Sequence, residues 1–459
     1  GDRGGRRGVT RTPSGSRQDS RLGRREVLAL SGALGLTSLA GCLDQLPGSG
    51  PETIDGDALA AVVDGEVPEI SETLPVDIEA SFVADQREIA EGKLDSVPAP
   101  FDEKQIPNGV IRERANGEYE AAREAIGASS GDGTAYERLD RTTRARASAH
   151  EVQTAWRAIE GDATVDDLRE SRRTVDADVD ALASRWEYVG DDPVRAAVVH
   201  AEIEREIRGA RNWLSFRERD LEHAAEQPLD FADLAVDVER ARTSEAVASY
   251  YFDQFREGLG EETTLRERFA AARDALDERV RTRGESLPEE TDDPTSLVDR
   301  DVGQTAGVIA LDDVLRNARW RTEDRGDGRE GPSLASAALA ATEALVYLRA
   351  FEALRERIEG GDDVAVDEAD DVADLRTDAV DAISAAREAD RNRLVVDAVL
   401  PRFARELRWI DDRISRYEGD TRVDFAEREA AGYVVVAETC RAVPSVSADV
   451  AAALRGGDA

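Results

Sequence analysis

Imidazole and carboxylate side chains within one helical turn of each other can bind metal ions or move protons, so the three histidines are weighed first. His200 has Glu204 one turn on. His223 has Asp220 three residues before it and Glu226 three after it. On a helix each set shares a face, so His200, Glu204, His223 and Glu226 are the candidate metal ligands. The competing reading is structural, with each histidine at the surface or the edge of the core. A di-metal carboxylate bundle needs two Glu-x-x-His motifs on facing helices, and the chain has none. Nucleophilic chemistry has little to use. Cys440 follows the apolar run Tyr433–Thr439, where a thiol serves as a small hydrophobe. There is no G-x-S-x-G elbow, no P-loop and no G-x-G-x-x-G after a strand. Carboxylates are too numerous for spacing to single out an acid/base pair. No catalytic residue is assigned and no cofactor is expected. Aromatic residues are scarce, and the densest group is Tyr250, Tyr251, Phe252 and Phe255. Tyr251 and Phe255 share a helix face, so this segment is the candidate partner groove, against the alternative that its rings are packing anchors.

The chain carries 98 acidic and 60 basic residues, a net charge of −38, and only two lysines, Lys93 and Lys104. Residues 1–41 hold 8 arginines and 3 acids, which leaves 95 acidic and 52 basic residues beyond them, a net −43. That balance speaks against nucleic-acid binding, because no basic face remains. It also opposes compaction at low ionic strength, whereas in 1 M salt the screening length falls to about 3 Å. An acidic, lysine-poor, alanine- and valine-rich composition resembles that of proteins from extremely halophilic archaea. Acidic runs such as residues 362–371 read as solvated surface. The D-x-x-D-G fragment at Asp324 lacks the further ligands of a calcium loop.

Apolar residues recur at steps of three and four almost throughout. Helices are expected over 84–96, 117–127, 134–159, 165–189, 193–225, 244–258, 264–282, 302–320, 333–358, 372–389, 391–417 and 425–440. Val76–Phe82 alternates, but without a partner strand it reads as extended chain or a helix start. The fold class is therefore all-α, with long antiparallel helices in one or two bundles. The chain carries a candidate internal repeat, against the alternative that helices built from the same few residue types (Ala, Val, Arg, Asp, Glu) match by chance. Ile159-Glu160-Gly161 and Ile358-Glu359-Gly360 each close a long helix, 199 residues apart, and Val199, Ile203 and Ile207 then match Val395, Val399 and Phe403 at an offset of 196. The expected division is a first bundle over 73–225, a bridging region over 226–330 and a second bundle over 331–459.

The amino-terminal 42 residues carry the most specific pattern. Arg24 and Arg25 precede an apolar run from Val27 to Leu39, which ends in Leu39-Ala40-Gly41-Cys42. Thirteen helical residues span roughly 20 Å, short of a bilayer core of about 30 Å, as a signal h-region does. The segment resembles a twin-arginine export signal joined to a lipobox, with Gly23 where Ser or Thr is common. The resemblance implies cleavage after residue 41, a thioether-linked lipid on Cys42, use of the twin-arginine export machinery, and attachment to the outer face of the cell membrane. Residues 42–72, rich in Pro and Gly at their start, would be the tether. A two-bundle exported lipoprotein is also similar to the imelysin-like iron-uptake proteins, whose His-x-x-Glu signature fits here only at His223 and Glu226.

The functional expectation is an exported, lipid-anchored helical protein that binds or scaffolds, with a protein partner in the scaffolding case. The alternatives are a solute- or metal-capturing lipoprotein that serves a transporter, and a hydrolase without a recognisable motif.

Overall fold

Helix-starting signals and apolar stripes agree along most of the chain, and the computed structural model follows them. It describes residues 52–224, 227–324, 333–389 and 392–457. The twin-arginine and lipobox residues, Arg24, Arg25, Leu39, Ala40, Gly41 and Cys42, lie outside the described residues, as does Glu226. A short strand β1 (Thr53–Asp55) and a short helix α1 (Gly56–Ala61) come first. A 3-10 turn (Val62–Asp64) and an irregular stretch that bends at Pro75 and Val76 lead from there to α2 (Ala80–Asp95), so the alternating stretch 76–82 is irregular chain up to Glu79 and helix from Ala80.

The first series continues with α3 (Gly109–Ser129), α4 (Ala135–Glu160), α5 (Val165–Arg185), α6 (Pro193–Trp213), α7 (Glu218–Ala224) and α8 (Pro228–Glu257). The second runs α9 (Arg266–Gly284), α10 (Ala306–Asp324), α11 (Leu334–Glu359), α12 (Ala369–Glu388), α13 (Arg393–Ile414) and α14 (Val423–Arg455). Local chemistry sets several of these ends. Thr134 caps α4 in a reciprocal box with Glu137, and Asp192 caps α6 ahead of Pro193. Gly161 takes up φ +83° and closes α4. The helix expected over 193–225 breaks after Trp213. The one expected from 244 starts sixteen residues earlier, at Pro228.

The two series repeat one arrangement. In the first, α4 packs on α2, α3 and α8, and α8 also packs on α5 and α6. In the second, α11 packs on α9, α10 and α14, and α14 also packs on α12 and α13. The register differs from the sequence match at an offset of 196. Caps Asp192 and Asn392 are 200 apart, and residues 201–210 and 401–410 share one burial pattern at every position but the ninth. Val199, Ile203 and Ile207 thus correspond to Val399, Phe403 and Leu407. An apolar stripe slid by one turn falls onto itself, which is how an offset of 196 imitates 200.

The described residues form one compact unit, and one hydrophobic core runs through both series. The stretch 226–330 contributes to both: α8 packs into the first half, α9 and α10 into the second. The halves meet where α6 lies against α11, α13 and α14. Two small antiparallel ladders fasten distant segments. β1 pairs with β4 (Asp420–Arg422), and β2 (Val189–Gly190) pairs with β3 (Thr263–Thr264).

Each half buries a glutamate at one position of its last helix. Glu239 on α8 is fully buried and meets Arg146 at 2.7 Å, Arg242 at 2.6 Å and Lys93 at 3.2 Å. Glu438 on α14, 199 residues on, meets Arg357 at 3.0 Å and Arg441 at 2.7 Å. Burial alone would raise the Glu239 carboxyl, but the cluster of His150, Arg146 and Lys93 outweighs it and brings it down to about 2. Removing one partner of a buried ion pair leaves uncompensated charge, at a cost of about 3–5 kcal/mol. Glu239→Ala should therefore lower the unfolding free energy by about that amount in denaturant titration at neutral pH. A loss below about 1 kcal/mol would mean that the cluster contributes little.

Candidate functional site

Helix α6 carries two sets of polar side chains, and they do different work. The inner set is His200 and Glu204. His200 is fully buried among Trp186, Tyr188, Phe255 and Phe269. Its Nδ1 accepts from Trp186 Nε1 at 3.0 Å, so in the neutral ring Nε2 carries the proton and donates to the Val189 carbonyl at 2.8 Å. Burial lowers its pKa to about 4, which keeps it neutral. Glu204 faces elsewhere. Its Oε1 accepts from the Tyr188 hydroxyl at 2.5 Å and from Ala335 N at 3.0 Å, and its Oε2 accepts from Ser336 N at 2.7 Å. Leu334 N donates to the Tyr188 hydroxyl at 3.3 Å. A carboxylate of the first half thus satisfies the amino terminus of α11 in the second.

Of the metal candidates, His200, Glu204 and His223 are described, and these three are not brought together; Glu226 lies outside the described residues. His200 spends both ring nitrogens on protein groups, Glu204 caps α11, and His223 is exposed on α7. Among the described residues, no three His, Cys, Asp or Glu side chains converge as metal ligands. His150 lies 3.0 Å from Lys93 Nζ in the buried Glu239 cluster, and burial lowers its pKa to about 4. Cys440 is fully buried, and burial raises its thiol pKa. The aromatic segment divides three ways. Tyr250 stacks on Phe82 and donates to the Asp77 carbonyl, Phe255 packs against His200 in the core, and Tyr251 lines a cavity.

The outer set on α6 is Glu202, Arg205, Glu206, Arg208 and Trp213, and it faces two neighbouring cavities. The first, about 480 Å³, lies between α4, α6 and α8 and is walled in part by Tyr136, Glu206, Trp213 and Tyr251. The second, about 560 Å³, lies at the junction of the halves, between α6, α11 and α13, with residues 72–74 as a further wall. Corresponding positions of the repeat both line this junction cavity: Val198 and Ala398, Ala201 and Pro401, Glu202 and Arg402, Arg205 and Arg405. Tyr136 and Arg205 belong to both cavities. The Tyr136 hydroxyl donates to Glu202 at 2.8 Å. Arg205 pairs with Glu202 and, at 2.9 Å, with Glu206.

Sequence spacing did not point to this outer set, since each residue is one of many acids and arginines. The recoverable signal is the 200-residue correspondence of Arg205 with Arg405. Comparison with known families divides the chain in the same place. Residues 81–262 match a domain of unknown function, DUF8262. Residues 266–452 match a second one, DUF8264. The two matches meet at β3, so each takes one half of the repeat. No curated protein and no solved structure matches the chain.

Burial, together with the nearby Glu202 charge, outweighs Arg205 and raises Glu206 from 4.5 to about 7. The folded protein therefore keeps this proton up to about pH 7, while the unfolded chain releases it near 4.5. The stability this adds is complete below pH 4.5 and is lost as pH rises through 7. Glu206→Gln should be more stable than the parent by about 3 kcal/mol at pH 8 and nearly indistinguishable near pH 4.5, measured by denaturant titration. Equal stabilities at pH 8 would contradict the assignment.

Proposed function

We propose that this protein is an exported, lipid-anchored solute-binding protein of an extreme halophile, and that the cavity at the junction of its halves is the binding site. The observation that carries the binding reading is the cavity itself, about 560 Å³ and bounded by equivalent faces of the two halves. That size suits a small organic ligand, and such sites commonly lie between structural units. The export reading is supported by the sequence pattern alone: Arg24-Arg25, the apolar run, and Leu39-Ala40-Gly41-Cys42. The net charge of −38 suits a molecule that folds and works where salt screens its own repulsion. On this account the tether beyond Cys42 holds the helical body outside the membrane, where a captured solute can pass to a transporter.

A scaffolding role has one observation in its favour. Trp320 and Trp409 are 60% and 55% exposed, large apolar surfaces for a partner. Each already lies beside an arginine, Arg321 at 5.2 Å and Arg413 at 4.0 Å from the ring centroid.

The anchor is tested by mass spectrometry of the protein purified from the membrane fraction of its host. The expected amino terminus is Cys42 bearing a lipid, and replacing Arg24 and Arg25 by lysines should leave the unprocessed chain in the cytosol. An intact amino-terminal segment with an unmodified Cys42 thiol in the native protein would refute export and anchoring together.

A further inference from the structure

We infer that the junction cavity takes an organic oxyanion, a carboxylate or phosphate head on an apolar body, and that Arg208 receives the head. This rests on the solute-binding reading above and narrows its ligand. Four arginines line the cavity, Arg205, Arg208, Arg402 and Arg405, against four acids, Glu72, Glu202, Glu343 and Asp397. The wall is thus neutral within a chain of net charge −38. Each acid already holds an arginine. Glu72 pairs with Arg405, Glu202 with Arg205, Glu343 with Arg402 at 2.5 Å, and Asp397 with Arg393 at 3.2 Å.

Arg208 differs. Its guanidinium reaches the Ser336 hydroxyl at 3.3 Å, and no carboxylate among the described residues lies within ion-pair distance of it. The one uncommitted charge on the described wall is therefore positive. A cation would have to displace an existing pair, whereas an anion would not. A guanidinium fork binds carboxylate or phosphate through two parallel N–H bonds, which chloride cannot match, so the contact is suited to concentrated salt. Beside it the wall is apolar, with Val198, Ala201, Leu339 and Pro401, and this surface accepts the body of the ligand.

The test is calorimetric titration of the full chain in molar KCl with octanoate, octyl phosphate and octanol, three probes with one body and different heads. At least one oxyanion should bind about tenfold or more tightly than octanol. Arg208→Gln should reduce that affinity to the octanol level. Arg408→Gln, whose guanidinium reaches the Pro68 carbonyl and lies outside the cavity wall, should leave it unchanged. The ratio of octanoate to octyl phosphate affinity identifies the head. Octanol binding as tightly as both oxyanions, or Arg208→Gln binding like the parent, would overturn the inference. If octanol binds and Ala340→Trp abolishes it, the cavity remains a solute site and only the anion assignment fails. If no probe binds, both readings fail.

Discussion

A buried carboxylate must have its charge compensated, and the way Glu204 meets that demand joins the two halves of this protein. Helix α11 begins with backbone N–H groups that have no partner within the helix, and its cap residue Ser333 supplies no side-chain bond. Glu204 and Tyr188, both from the first half, receive Leu334, Ala335 and Ser336 instead. Hydrogen bonds to a charged acceptor contribute about 1.5–3 kcal/mol each, and the positive end of a helix adds to them. Separating the halves would strand both the carboxylate and the helix terminus in the interface.

That contact fixes how α6 lies against α11, and the junction cavity follows from it. Positions on α6 and α13 that occupy the same place in each half come to face one space. The repeat also shows which of its positions are specialised. Leu400 and Ala404 stand where the first half has His200 and Glu204, so the second half has an apolar helix face where the first has a polar joint. The buried glutamate of the last helix is common to both halves, with an arginine three residues on in each. It belongs to the packing of the unit, not to the joint.

The all-α class was legible in the sequence because apolar residues return every three or four positions and caps such as Thr134 and Asp192 stand where helices begin. Other features left no readable trace. Two- and three-residue strands are too short to show alternation, so the pairing of Val189 with Thr264 and of Ile54 with Thr421 could not be anticipated. Helix α8 was anticipated only from residue 244, because its first turns mix acids and arginines among the apolar positions. His200 and Glu204 were singled out as possible metal ligands, yet spacing along one helix says nothing of the partners other elements bring. Trp186 and Val189 take the histidine, and α11 takes the glutamate. The cavity arginines were hidden by abundance, since a long charged side chain reads as solvated surface until a fold sets it against its counterpart.

The joint is tested most directly by amide hydrogen exchange at the first turn of α11, comparing Glu204→Ala with the parent protein in molar KCl. If Glu204 holds the halves together as described, Leu334, Ala335 and Ser336 should exchange at least about tenfold faster in the variant, while the centre of α4 keeps its protection. Unchanged protection at those three amides would contradict the account.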